Sequence, residues 1–277
     1  MTPVCIISGY LGAGKTTLIQ EFLENPGPWR ACVLVNDFGK INLDAALIAE
    51  TGADTIALTN GCACCSIGDD LLAAVQKVMA GPAEYDLIIV EASGVAQPGR
   101  LKMLVAGAKR TKPARCLTVV NLSKAKALSQ DKFVGRLFKQ QADQADGFYL
   151  NRGADTGDLL PLDKPRFTSL IDFLAFEALP DAGGVDGDMD TGVSPLFRQE
   201  FVSLEEGMSE ADFNKWCENL PSNVHRAKGY VTLLSEERQL KTVKVDLVQG
   251  HLSTVLTERL PVGQCGGLVL ISVAGAA

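Results

Sequence analysis

The sequence predicts an α/β protein: a mostly parallel β-sheet with helices on both faces, followed by a smaller α+β domain. Three observations carry that prediction. Short apolar runs alternate with helical patterns through residues 1–179, and such alternation builds a parallel sheet covered on both sides. The pattern G-x-x-x-x-G-K-T, from Gly9 to Thr16, lies where the first apolar run gives way to the first helical pattern. Near Leu179 the character changes, and the Gly- and Asp-rich stretch from Pro180 to Pro195 reads as a linker.

Taken in order, the strand candidates of the first domain are Val4–Ser8, Ala31–Asn36, Thr55–Leu58, Leu87–Glu91, Leu117–Asn121 and Gly147–Leu150. Each is short, apolar and of buried-strand type. Helical patterns fall between most of them: Thr17–Glu24, with Leu18, Phe22 and Leu23 on one side, then Leu43–Glu50, Asp69–Met79, Arg100–Ala108 and Lys132–Asp143. Asn121-Leu122-Ser123-Lys124 spells N-x-x-K after a strand and reads as the ordinary loop of a βα unit. Residues 196–277 hold strand candidates Phe197–Val202, Arg226–Leu234, Leu240–Val248 and Leu268–Val273, with a helix over Glu210–Leu220. The domain expectation is therefore 1–179, a linker over 180–195, and a small module over 196–277.

In such a sheet, ligands bind at the carboxyl ends of the strands. Three unusual segments follow strands directly: Gly9–Thr16, Asn36-Asp37-Phe38-Gly39 and Gly61-Cys62-Ala63-Cys64-Cys65. The first is a phosphate loop in the right context, so the first domain is expected to be a P-loop NTPase. The nucleotide contacts fall to Gly9, Gly12, Ala13, Gly14, Lys15, Thr16 and Thr17. Backbone N–H groups there cradle the phosphates at a helix start, Lys15 neutralises the β/γ oxygens, and the Thr16 hydroxyl ligates Mg²⁺. Leu87-Ile88-Ile89-Val90 ends in Glu91, then Ala92-Ser93-Gly94. This is the expected second element, with the acid reaching Mg²⁺ directly or through water and the Gly94 N–H contacting the γ-phosphate. Base recognition falls to Asn151-Arg152-Gly153-Ala154-Asp155, a variant of Asn-Lys-x-Asp. The Asn is in place, Arg152 can lie over the base plane, and the acid, Asp155, comes one residue late.

Cys62, Cys64 and Cys65 follow the turn signal Asn60-Gly61 and precede a polar helix start. Core cysteines come singly in apolar strands, as Cys5, Cys32 and Cys116 do, and Cys217 and Cys265 are read as equally ordinary. Three neighbouring thiolates instead supply ligands suited to Zn²⁺ first or Cu(I), with Co²⁺ or Ni²⁺ as further alternatives, and a redox role as the rival reading. No fourth Cys or His is adjacent, which suits transient holding and handover. His225 and His251 are read as surface or strand residues.

Composition bounds the rest. The 277 residues are 47% hydrophobic, with 26 basic and 33 acidic side chains and a net charge of −7. An acidic chain without a Lys/Arg cluster speaks against nucleic acid as main ligand. Met1–Lys15 lacks the basic start and long apolar stretch of a signal peptide, and Leu268–Ile271 is too short to span a bilayer. The expectation is a cytoplasmic protein whose eight cysteines are thiols and ligands rather than a disulfide framework.

Assembled, these residues resemble the CobW-like GTPases, within the wider class of metal-insertion GTPases that includes the urease and hydrogenase accessory proteins. The resemblance covers nearly the whole chain. Ser8–Leu18 is similar to the family's phosphate loop, Val35-Asn36-Asp37-Phe38-Gly39 to its first switch, Gly61–Cys65 to its G-C-x-C-C metal motif, and Glu91-Ala92-Ser93-Gly94 to its E-x-S-G switch. Gln141, Ala145-Asp146 and Leu150-Asn151 have its spacing before the base motif, and Arg226–Tyr230 resembles the R-A-K-G-F start of a strand in its C-terminal domain. Asp37 stands where Glu is usual and Lys40 where a second Glu is common.

The resemblance implies slow GTP hydrolysis, with GTP/GDP and Mg²⁺ at one site. Lys15, Asp37, Glu91 and Gly94 arrange phosphoryl group, water and switch loops. A transition metal on Cys62, Cys64 and Cys65 is destined for a client metalloprotein or cofactor-dependent enzyme. The fourth metal position is left to water, a partner's ligand or Asp37. Resemblance to the class also points to a nucleotide-dependent homodimer. Two rivals remain open: a chaperone that gates a cofactor, such as a corrinoid, without carrying metal, and a phosphotransferase acting on a small acceptor.

Overall fold

Residues 1–35, 54–57, 67–153, 159–176, 197–235, 238–248, 250–257 and 266–273 are described by the computed structural model. They fall into two compact units, one built on a parallel sheet and one on an antiparallel sheet.

In the first unit the strands are β1 (Val4–Ser8), β2 (Ala31–Val35), β3 (Asp54–Ala57), β4 (Leu87–Glu91), β5 (Arg115–Asn121), β6 (Gly147–Asn151) and β7 (Arg166–Phe167). Their order across the sheet is β3-β2-β4-β1-β5-β6-β7, and every pairing is parallel. The central strands are apolar up to their carboxyl ends, where β1 closes on Ser8 and β4 on Glu91, because helices cover both faces. β1, β2 and β4 are buried at every position. The helices are α1 (Lys15–Glu24), α2 (Ile67–Ala80), α3 (Pro98–Ala106), α4 (Leu122–Gln130), α5 (Gly135–Asp143) and α6 (Leu170–Ala175). One face packs Ile6, Leu34, Ile88 and Val90 against Leu71 and Val75 of α2 and Leu101 of α3.

The helices start where side chains or special backbone can satisfy their first N–H groups. Gly14 caps α1 in the left-handed region, at φ 103°. The Asn121 side chain caps α4 by accepting from the Ser123 N–H, and Ser169 caps α6 the same way. At the amino end of β6, Asp146 accepts from the Cys116 N–H at 2.6 Å and pairs with Lys102 of α3 at 2.7 Å. That pins α3 and the two strands at the edge opposite the phosphate loop.

The second unit is a sheet of β8 (Phe197–Val202), β9 (Met208–Ser209), β10 (Val224–Leu234), β11 (Leu240–Val248), β12 (His251–Thr257) and β13 (Gly267–Val273). Its order is β12-β11-β10-β13-β8, antiparallel along that path, with the short β9 pairing parallel to β10. Helix α7 (Glu210–Glu218) covers one face and buries Phe213 and Cys217 against Ala227, Val231, Val245 and Leu268. Ser209 caps α7 by accepting from the Asp212 N–H at 3.1 Å, and its hydroxyl donates to the Asp212 carboxylate at 2.7 Å. Arg226 grips Asp246 of the neighbouring strand through two hydrogen bonds of 3.0 Å. His225 lies on β10 and His251 on β12, both strand residues.

Candidate nucleotide site

The phosphate loop is the turn between β1 and α1. Gly9, Gly12 and Gly14 take φ values of 134°, 70° and 103°. At Gly14 the glycine is required twice over: its φ disfavours any L side chain, and a Cβ would lie 2.8 Å from the Asn151 Nδ2. The result is a loop whose backbone curls ahead of a helix start, the arrangement that presents successive N–H groups to an anion. Ala13 N–H closes the turn on the Tyr10 carbonyl at 3.1 Å. Tyr10 is buried, and burial, with Asp131 a lesser contributor, pushes its phenol up, so it stays neutral.

Lys15 is buried at the first position of α1, and its Nζ donates to the Gly9 carbonyl at 2.9 Å and the Tyr10 carbonyl at 3.4 Å. The ammonium thus lies folded within the loop that would surround a phosphate. Next to it, the Thr16 hydroxyl donates to the Glu91 Oε1 at 2.7 Å. Glu91 is the last residue of β4, beside β1, and is 3% exposed. Strand adjacency therefore brings together two oxygen ligands separated by 75 positions in the chain. An alcohol and a carboxylate, both hard oxygen donors next to a phosphate loop, fit Mg²⁺.

Beyond Glu91 the chain turns through Ser93–Ala96, where the Ala96 N–H donates to the Ser93 carbonyl at 2.9 Å. Gly94 lies against the phosphate loop so closely that a Cβ would sit 2.7 Å from the Leu11 nitrogen. Its carbonyl is held by Gln141 of α5, whose Nε2 also donates to the Ala96 carbonyl, at 3.2 and 3.0 Å. Two further glutamines on that side continue the hold. The Gly99 N–H donates to the Gln144 Oε1 at 2.8 Å, and Gln97 donates to Gln140 at 3.5 Å. The segment after Glu91 is thus fastened to α5 at Gly94, Ala96 and Gln97, and at Gly99 to Gln144, the residue that caps α5.

Asn151, at the end of β6, donates from Nδ2 to the Ala13 carbonyl at 2.9 Å. The base loop is thereby tied to the phosphate loop across 138 positions of sequence. Arg152 is exposed with φ 55°, and Gly153 packs on Leu122 at the start of α4. Thr17 is exposed on α1.

Of the sequence-predicted site residues, Gly9, Gly12, Ala13, Gly14, Lys15, Thr16, Glu91, Gly94, Asn151 and Arg152 therefore collect at the carboxyl ends of β1, β4 and β6. Asp37, Cys62, Cys64, Cys65 and Asp155 lie outside the described residues. Among the described cysteines, Cys5, Cys32, Cys116 and Cys217 are buried free thiols. Burial pushes the Cys116 thiol up to about 12 and the Cys217 thiol, with Glu218 contributing, up to about 11. They are inert core residues at neutral pH. No helix among the described residues is long and apolar enough to cross a membrane.

A family model described as CobW/HypB/UreG, nucleotide-binding domain, matches residues 3–159, which take in every described residue of the site. The chain belongs to the CobW/HypB/UreG family. Its nucleotide-binding domain is the parallel-sheet unit, and the fold is that of a P-loop NTPase followed by a separate antiparallel-sheet module. Two relatives show how far the sequence likeness reaches. The Schizosaccharomyces pombe protein named zinc-regulated GTPase metalloprotein activator 1 is 39% identical over 105 residues, 36% of this chain and 26% of that protein. The Escherichia coli zinc chaperone YjiA is 35% identical over 105 residues, 36% of this chain and 33% of that protein. The chain thus matches about a quarter to a third of the length of these relatives. The solved Zn(II)-bound YjiA GTPase from E. coli aligns over 99% of this chain and 94% of its own, at 17% identity and a TM-score of 0.45, too distant a likeness to inform the site.

Proposed function

We propose that this protein hydrolyses GTP and, under control of the bound nucleotide, carries a transition metal to a client metalloprotein. The observation that carries the nucleotide half is the 2.7 Å hydrogen bond from Thr16 to Glu91, formed beside the buried Lys15. It sets a Mg²⁺-type oxygen pair next to a cationic phosphate cradle. Thr16 would hold the ion directly and Glu91 directly or through water. When bound, Mg²⁺ neutralises charge on the β- and γ-phosphate oxygens.

The chain's own residues do the rest. Lys15 exchanges its loop carbonyls for phosphate oxygens, the loop N–H groups receive the remaining charge, and the Gly94 N–H faces the γ-phosphate. Asn151 and Asp155 read the base, and Arg152 lies over its plane. The metal half rests on the chemistry of Cys62, Cys64 and Cys65 and on the names of the relatives, which point to Zn²⁺ ahead of Co²⁺ or Ni²⁺. Asp37, in the first switch, is proposed as the fourth ligand, so that hydrolysis alters the coordination shell and releases or retains the metal. Residues 1–179 would act as the motor, 180–195 as the hinge, and 196–277 as the module that meets the client. The working compartment is proposed to be the cytoplasm, with nucleotide-dependent homodimerisation of the chain.

The test is a titration of Zn²⁺, Co²⁺ and Ni²⁺ into reduced, anaerobic protein, first with GDP and then with a non-hydrolysable GTP analogue and Mg²⁺. Tight binding that differs between nucleotide states and disappears in the Cys62/Cys64/Cys65→Ser variant is expected. Binding indifferent to the thiols would remove metal delivery and leave a gating or phosphotransfer protein. Asp37→Ala is expected to erase the difference between nucleotide states more than the affinity itself.

A further inference from the structure

We propose that Asn121 is a positioning residue for base recognition: in the nucleotide-bound state its side-chain N–H donates to the Asn151 Oδ1 and fixes which way the Asn151 amide faces. This rests on the guanine-nucleotide reading above and deepens it.

The topology puts the two side chains together. Asn121 ends β5, Asn151 ends β6, and the two are register partners. Asn151 nevertheless bonds to Ala13, in the loop that follows β1. Since β5 lies between β1 and β6, the Asn151 side chain has to cross the carboxyl end of β5, which is Asn121. The base loop also rests on the turn that Asn121 begins. A Cβ on Gly153 would lie 2.9 Å from the Leu122 Cβ and 3.4 Å from the Ser123 nitrogen.

The hydrogen-bond inventory is complementary. Asn121 uses its Oδ1 to accept from the Ser123 N–H at 3.1 Å and the Ser123 hydroxyl at 2.7 Å, which turns its Nδ2 away from α4. Asn121 is 5% exposed, and that Nδ2 has no hydrogen-bond partner. Asn151 uses its Nδ2 on Ala13, and its Oδ1 is likewise buried and unpartnered. A buried donor and a buried acceptor, each unmatched, thus sit on neighbouring strand ends. Native proteins rarely leave such atoms unpaired. A small shift of Asn151 as a base docks would join them.

The consequence is specificity. With its Oδ1 held by Asn121, Asn151 shows only N–H to its other neighbours. An outward N–H suits the O6 and N7 acceptors of guanine and opposes the 6-amino group of adenine. Without the Asn121 donor, the Ala13 carbonyl alone opposes a turned-over amide that would present oxygen to O6.

Asn121→Asp tests this, because it keeps an oxygen for Ser123 and removes the N–H. Dissociation constants for GDP, IDP and ADP would be measured by competition against a fluorescent nucleotide. The preference for GDP over ADP is expected to fall about tenfold or more. IDP, which keeps O6, should follow GDP. Asn121→Ser, which also caps a helix, should repeat the result if the aspartate variant does not fold. An unchanged preference in the Asn121 variants, or an equal loss for all three nucleotides, overturns the proposal alone. A wild-type chain that does not prefer GDP overturns the guanine reading and this proposal together.

Discussion

Glu91 is a carboxylate at the end of a strand that is otherwise Leu, Ile, Ile and Val, and it is as buried as its neighbours. Placing an acid there is costly unless something meets it, and the Thr16 hydroxyl does so. The pair follows from the sequence only in part. The spacing from phosphate loop to strand-end acid marks both residues, but their contact requires β1 and β4 to be neighbours, which no local pattern specifies. Glu91→Gln keeps the size and still accepts from Thr16 while removing the charge. GTP turnover is expected to fall by about 10²- to 10³-fold at saturating nucleotide, with a weakened dependence on Mg²⁺ concentration. Steady-state turnover across a Mg²⁺ series checks this, and wild-type rates would dismiss Glu91 as a functional acid.

At the scale of elements, α5 and α4 make the useful contrast. The apolar spacing of Lys132–Asp143 is legible as a helix, and the structure places α5 within it. What periodicity does not show is that its glutamines fasten the segment after Glu91. Gln141 is 1% exposed and spans two carbonyls on that segment. Gln141→Leu leaves both carbonyls without that donor and should cost about 1–3 kcal/mol in stability. It should also weaken binding of a GTP analogue more than binding of GDP, since only the triphosphate needs Gly94 in place. Thermal melts with each ligand would read both effects, and an equal shift with the two ligands would make Gln141 purely structural.

Helix α4 did not emerge from the sequence pattern, because only Ala125 and Leu128 are buried on it and its start reads as a loop. The cap residue Asn121 immediately ahead of it was the available signal. Strand β12 is not legible in the sequence for a related reason. Val255 and Leu256 are both exposed, so alternation is absent, and pairing with β11 is what makes the segment a strand.

At the scale of the whole molecule, the two units have separate cores. Phe213 is 1% exposed in the core of the antiparallel module. Phe213→Ala should remove about 3–5 kcal/mol from that module while GDP binding by the parallel-sheet unit persists. Calorimetry with and without GDP would show the loss confined to a transition that GDP does not shift, and loss of GDP binding in parallel would mean the units fold as one. The alternation of apolar runs and helical patterns, the phosphate loop, the acid ending β4 and the asparagine ending β6 were all written in the sequence, because strand burial, helix periodicity and phosphate binding impose local residue patterns. The tertiary structure alone decided which strand ends are neighbours. It set Glu91 on Thr16, Gln141 on Gly94 and Asn151 across Asn121 onto Ala13, because a parallel sheet orders its strands by crossover connections and not by chain order.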